Sequence, residues 1–338
     1  MNHERRALVR AFGAAGATSL VGWPWNSAFA ESPPETTTIR LVHDPAICLA
    51  PQYVAEELLR VEGFSQVEYV SVPTGASEPD PYQLLVQGRA DLTTDAAPTL
   101  VPAIDAQRPI VVLAGIHGGC YELFGNERVR AIRDLKGKRI AISALGSGEH
   151  VYVASMLAYI GMDPRRDVIW LEGHTEDGMM RLFIDGKADA LLAFPPQPQQ
   201  LRLQKVGHVI VNTTQDRPWS QYFCCMLAGR REFVRSYPVA TKRALRAILK
   251  AADICAREPE RTARYLVAKG FESSYAIALE VVKDVSYSAW RTFDPENTLR
   301  FYALRLHEAG MIKSTPQKLL AQGTDFRFLN ELKRELKA

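Results

Sequence analysis

From Thr38 onward, short runs of β-like alternation are interleaved with apolar positions at helical spacing, the sequence form of an α/β protein with largely parallel sheets. "TIRLVHD" predicts a strand. "PQYVAEELLRVEG" predicts a helix with Tyr53, Val54, Leu58 and Val61 on one side and Gly63 closing it. "QVEYVSV" reads as a strand, "PYQLLVQGR" as a helix, "ADLTTD" as a short strand with a polar end, and "PIVVLAGI" as a buried strand.

The pattern then restarts. "GKRIAIS" predicts a strand, followed by a helix from about Glu149 to Ile160, the turn "GMDPRRD", the strand "DVIWLE" and the helix "TEDGMMRLFIDGK". The strand "ADALLAF", a proline-rich turn, another helix and the strand "HVIVN" complete it. Two passes of similar logic imply two similar lobes. From Glu232 the chain is mostly helical, with Pro238, Pro259, Pro295 and Pro316 starting or separating helices.

Size agrees with two lobes, because 338 residues exceed what one hydrophobic core usually organises. The first thirty residues stand apart. Arg5, Arg6 and Arg10 precede a mildly apolar run, and "AFA" ends at Ala30 with the small-residue spacing that a signal peptidase accepts, so residues 1–30 are expected to be an export signal. The paired arginines resemble a twin-arginine signal, although Glu4 and Ala7 depart from its usual flanks and leave the general secretion route open. No cysteine lies between residues 11 and 35, so a free periplasmic protein is expected instead of a lipid-anchored one. Without residues 1–30 the chain carries 38 basic and 37 acidic side chains, a balance with no general attraction for nucleic acid. The basic stripe Lys242, Arg243, Arg246 and Lys250 reads as a solvated helix face.

The turn "ALGSGEH" is the one loop with nucleotide-like looks. It lacks the Gly-Lys-Ser/Thr ending of a P-loop, and Val151 stands where a dinucleotide fingerprint needs its third glycine. Leu-Gly-Ser-Gly-Glu around Ser147 is not a nucleophile elbow either. What remains is a helix start whose free N–H groups, with Ser143, Gly146, Ser147, Gly148 and His150 nearby, would meet a ligand's negative oxygens, or where Ser147 merely caps the helix. Other strand ends offer His43, Asp44, Cys48 and Gln52; Thr94 and Asp95, the latter a candidate cap for the helix that follows; His117, Cys120 and Tyr121; Phe194; and Tyr222 with Cys224. These loops contain no Lys or Arg, so a zwitterion or a neutral heteroaromatic suits them better than a strong anion. Asp44 or Asp95 would accept from an amine, and Tyr121 or Tyr222 would stack on a ring. His43, Cys48, His117, Cys120 and His150 match no zinc spacing, and no metal or cofactor is expected. Five cysteines, an odd number with Cys224 and Cys225 adjacent, do not form a disulfide framework.

The order "APQYVAEELLRVEGF", "LLVQGRADLTTDAAPTLVPAIDAQRPIVVLAGI", "IRDLKGKRIAIS", "HVYVASMLAYIGMDPRRDVIWLE" and "FIDGKADALLAFPP" resembles the periplasmic solute-binding proteins of nitrate, sulfonate and taurine ABC transporters, a group that also holds the thiamine-pyrimidine precursor proteins. The resemblance implies a two-lobed type II binding protein. Each lobe would be a mixed, mainly parallel sheet flanked by helices: residues 31–117 with 224–338 in lobe one, and 118–223 in lobe two, the crossings falling near "GIHGGCYEL" and "QYFCCML". The strand-end residues would then line one interlobe cleft. It further implies a non-enzymatic monomer that captures a sulfonate, a taurine-like zwitterion, a nitrate-like anion or a pyrimidine-like compound and hands it to an inner-membrane permease and its ATPase. The alternative in the same superfamily is a pyrimidine-precursor synthase that consumes a pyridoxal cofactor and carries a cysteine-rich stretch, to which "FCCM" at residues 223–226 bears a faint likeness.

Overall fold

The computed structural model describes residues 31–44, 46–71 and 81–337, so the expected export segment lies outside the described residues. The strands are β1 (Thr38–His43), β2 (Gln66–Ser71), β3 (Leu92–Ala96), β4 (Ile110–Gly118), β5 (Glu122–Gly125), β6 (Arg139–Ile142), β7 (Ile169–Glu172), β8 (Ala190–Ala193), β9 (His208–Asn212) and β10 (Phe223–Arg230). Between them run α1 (Ala50–Val61), α2 (Pro81–Val86), α3 (Ala97–Asp105), α4 (Gly148–Tyr159), α5 (Glu176–Ile184) and α6 (Gln197–Gln204). The C-terminal helices are α7 (Arg231–Ser236), α8 (Pro238–Arg257), α9 (Pro259–Ala268), α10 (Tyr275–Asp284), α11 (Pro295–Glu308), α12 (Pro316–Gly323) and α13 (Arg327–Glu335). Four of them begin with proline, whose missing N–H costs nothing in a first turn.

The strands form two five-stranded sheets, ordered β2-β1-β3-β10-β4 and β7-β6-β8-β5-β9. In each, three parallel strands lead to one antiparallel strand: β10 runs against β3 and β4, and β5 against β8 and β9. The pattern reading predicts neither β5 nor β10. Both are near-continuous apolar runs, FCCMLAGR and ELFG, which periodicity cannot distinguish from other buried segments, and both lie where the chain changes sheet.

An ion pair repeats with the sheets. Arg40 on β1 donates from its backbone N and from Nε to the Asp91 carboxylate, both at 3.0 Å, and Arg139 on β6 does the same to Asp189, again both at 3.0 Å. Each aspartate ends a Gly-basic-Ala-Asp turn, "GRAD" or "GKAD", just ahead of β3 or β8. The Arg139 side chain holds the Asp189 carboxyl well below the usual carboxylate range. The same local solution therefore serves both halves, anchoring a parallel strand to its neighbour.

The basic stripe on α8 is not a free solvated face. Lys242 pairs with Glu331 and Glu335, and Arg246 with Glu62 and Glu335, so the stripe clamps α8 to α1 and α13. Among the described residues no helix is long and apolar enough to cross a membrane.

Candidate functional site

Parallel strands deliver their side chains to loops at their C-terminal ends, and here the loops of both sheets converge. The start of α4 stands against α3: a methyl placed on Gly148 would lie 3.5 Å from Thr99 Cγ2 and 3.7 Å from the Tyr121 hydroxyl. Tyr121, leading into β5, meets Tyr152 edge-on at 5.0 Å between ring centres and Phe194 at 5.8 Å. Loops after β3, β6 and β8 thus share one neighbourhood with the first crossing between the sheets.

The turn before α4 is largely occupied with its own helix. Gly146 sits at φ +91°, a conformation that favours glycine. Ser147 Oγ caps the helix by accepting from His150 N at 3.4 Å, and His150 Nδ1 accepts from Gly146 N at 2.9 Å. Glu149 turns back to accept from Ser143 N at 2.6 Å and from the Ser143 hydroxyl. Glu149 is buried, so a carboxylate already stands where the sequence suggests a seat for a ligand's negative oxygens.

Three further carboxyl groups gather at these loops. Asp44 follows β1, its Oδ1 accepting from Ala46 N at 2.8 Å; burial pushes its pKa up to about 6. Asp95, on β3, accepts from the Tyr82 hydroxyl and from Ala96 N, both at 2.6 Å. Ala96 is the N-cap of α3, and Asp95 bonds only this adjacent N–H, so it does not cap the helix. Burial, reinforced by repulsion from Asp44, brings Asp95 to about 6. Glu176 opens α5 from the second sheet; enclosure by protein, then repulsion from Asp44 and Glu149, lifts it to about 7, although water still reaches its side chain. Asp44 from one sheet therefore lies near enough to Glu176 from the other to add to the upward shift that burial gives Glu176. Pattern reading of strand ends misses Glu149 and Glu176, because each lies in the first turn of the next helix; the signal available is an acid at that position in both helices that follow β6 and β7.

The remaining predicted residues fall elsewhere. His43 packs on Tyr53 and Phe271 at 5.8 and 5.9 Å. Gln52 is buried with Nε2 donating to Val42 O at 3.1 Å, while its Oε1 and Thr94 Oγ1 have no hydrogen-bond partner. Tyr222 stacks on Phe301 at 4.2 Å and belongs to the packing of α11. Cys48, His117, Cys120 and Cys224 are buried, Cys120 at the edge of a polar depression, and Cys225, which the sequence reading passes over as a site residue, joins them. Of the five residues weighed as metal ligands, Cys48, His117 and Cys120 meet, whereas His43 and His150 do not join them.

A polar depression of about 500 Å³ borders the second crossing, lined among others by Glu122, Gln199, Arg202, Asn212, Glu280 and Asp284. Arg202 on α6 reaches Glu122, Glu280 at 2.8 Å and Asp284 at 3.4 Å. It is a cation absent from the quoted loops, but three carboxylates already surround it, and it bridges the second-sheet half to α10.

The model of the family described as NMT1/THI5 like matches residues 50–262. No curated protein matches the sequence. Among solved structures, the periplasmic nitrate-binding protein NrtA from Synechocystis PCC 6803 superposes with a TM-score of 0.75 at 17% identity, covering 90% of this chain and 90% of that one. The alkanesulfonate-binding protein SsuA from Xanthomonas axonopodis pv. citri, bound to MOPS, gives 0.69 at 17% identity over 86% of this chain and 99% of that one. The ligand-binding component of an ABC-type import system from Staphylococcus aureus, with zinc bound, gives 0.70 at 12% identity over 88% and 100%. At such identities the likeness shows the fold, that of the periplasmic binding proteins.

Proposed function

Since the chain belongs to the NMT1/THI5-like family, we propose that it is the periplasmic solute-binding component of an ABC importer and that its solute carries a protonated amine. The two sheets act as two lobes, residues 31–117 with 224–338 and residues 118–223, which close on the solute and present a joint surface to an inner-membrane permease and its ATPase. The nitrate- and sulfonate-binding neighbours support the transport role. It is a binding protein and not an enzyme. The alternative, a synthase consuming a pyridoxal cofactor, would need an amine to hold the aldehyde, and the loops at residues 43–49, 93–99, 117–122, 143–150, 172–177 and 194–199 contain no lysine.

The observation that carries the ligand charge is the set Asp44, Asp95, Glu149 and Glu176, contributed by both sheets; burial raises the carboxyls of Asp44, Asp95 and Glu176, and repulsion from Asp44 adds to it at Asp95 and Glu176. A positive group between them would relieve the repulsion and donate hydrogen bonds to their oxygens; nitrate or a simple sulfonate would add to it. Within the ligand range that the sequence suggests, this favours a zwitterion or an amino-substituted pyrimidine. Tyr121 and Phe194 supply ring faces at the same place. A thermal-shift screen tests the reading: amines and aminopyrimidines should raise the melting temperature, and nitrate and ethanesulfonate should leave it unchanged. Stabilisation by the anions alone would refute it.

A further inference from the structure

Behind the carboxylates lies a second constellation that solute binding does not use. Cys48, His117, Cys120 and Cys225 are all buried, and their sulfur and nitrogen atoms lie within 4.8 Å of one another. They come from three places in the chain. Cys48 follows β1, His117 ends β4 with Cys120 at the first crossing, and Cys225 enters β10 just after the second crossing, in register with His117. His117 has no exposed surface, and neither of its ring nitrogens has a hydrogen-bond partner of normal geometry. A buried imidazole left this way loses its hydration without replacing it, which a fold does not ordinarily retain without use.

We propose that Cys48, His117, Cys120 and Cys225 form a binding site for one zinc-type, thiophilic divalent cation at the base of the hinge. Three thiolates and an imidazole are a usual tetrahedral zinc set, and tetrahedral bonds of about 2.3 Å place sulfurs about 3.8 Å apart, so the donors need to draw in by about 1 Å at most. On binding, the three thiols release three protons to solvent and the neutral imidazole gives its lone pair, leaving a centre of net charge −1 from one divalent cation. Tyr287 packs edge-on against His117 at 5.6 Å and donates to the Cys48 carbonyl at 3.0 Å, fixing two donors from outside. The consequence is mechanical: one ion would tie both crossings to the first sheet. Thr213, just after β9, holds the first crossing by hydrogen bonds, accepting from Cys120 N at 3.1 Å and Tyr121 N at 3.0 Å.

The competing use of the same sulfurs is a disulfide between Cys120 and Cys224, whose Sγ atoms are 3.0 Å apart. It would remove a donor and leave His117 unexplained. Cys120 borders the polar depression while the other donors are almost wholly covered, so the test loads the ion during refolding of the full chain under reducing conditions with zinc, with cobalt(II), or with chelator. We expect one zinc per chain retained through dialysis, and thiolate-to-cobalt charge-transfer bands with tetrahedral ligand-field bands in the cobalt form. Both should vanish in Cys48→Ser and Cys225→Ser and persist in Cys255→Ser, whose sulfur is buried elsewhere on α8. Should the site variants fail to fold, the wild-type cobalt spectrum and thiol count decide. Absence of retained zinc and of cobalt bands in fully reduced protein would overturn the proposal. So would a Cys120–Cys224 crosslink that re-forms on refolding in the presence of zinc.

Discussion

Asp44 shows how a single side chain reports on the ligand. Its carboxyl is held at about 6 mainly by burial, so ionisation costs the folded protein free energy that the unfolded chain does not spend. The folded pKa lies above the unfolded one, and the native state keeps its proton longer; stability from this group is full below the unfolded value near 4 and falls as pH rises through about 6. Asp95 and Glu176 act in the same direction. Replacing Asp44 by Asn keeps the oxygen that accepts from Ala46 N and removes the charge. Urea denaturation of the ligand-free protein at pH 8 should therefore show Asp44→Asn more stable than wild type by about 1–2 kcal/mol, below the roughly 3 of two full units because water reaches the group. Near pH 4 the two proteins should converge. A variant less stable than wild type at pH 8 would mean that Asp44 is satisfied as an anion without any ligand.

The paired strands β1/β3 and β6/β8, each locked by an arginine and an aspartate, are the part of the architecture that pattern reading recovers most directly, since parallel strands come flanked by helices with clear apolar faces. The antiparallel strands β5 and β10 escape it: their neighbours in space are contributed by distant segments, and their own residues are apolar without a period. The site divides along the same line. Asp44 and Asp95 are visible because they end strands, whereas the opposing Glu176 and the pairing of His117 with Cys225 exist only once the two crossings bring remote segments together. The Arg–Asp lock makes its own prediction. Asp91 is almost fully buried and receives Arg40 and Arg230; Asp91→Ala leaves Arg40 without its carboxylate, while Arg230 keeps Glu232, and should cost about 3 kcal/mol in urea denaturation. A loss under about 0.5 kcal/mol would show that the repeated pair is decorative. Gly119 joins the sheets at φ +56°, where a methyl group would lie 2.4 Å from Thr214 Cα. Gly119→Ala should lower the melting temperature by several degrees, equivalent to about 2 kcal/mol or more, as read by calorimetry.

Across the whole molecule, an acidic meeting place of two similar sheets, a cation bridge at Arg202 between the second-sheet half and α10, and a first crossing held by Thr213 are the features on which the proposed closure around a solute rests. Without residues 1–30 the chain is close to neutral overall, so the charge proposed to select the solute is local to the loops at the strand ends. The decisive measurement is calorimetric titration of the full chain with the alkylamine or quaternary amine that stabilises it most, at about pH 5 and about pH 8, where the ligand's own charge does not change. Affinity should rise toward pH 8, by about tenfold for each carboxyl of pKa near 6 that contacts the amine, and Asp44→Asn should reduce that rise by about tenfold. Tighter binding of nitrate or an alkanesulfonate as the pH falls, with no amine bound at either pH, would contradict the account.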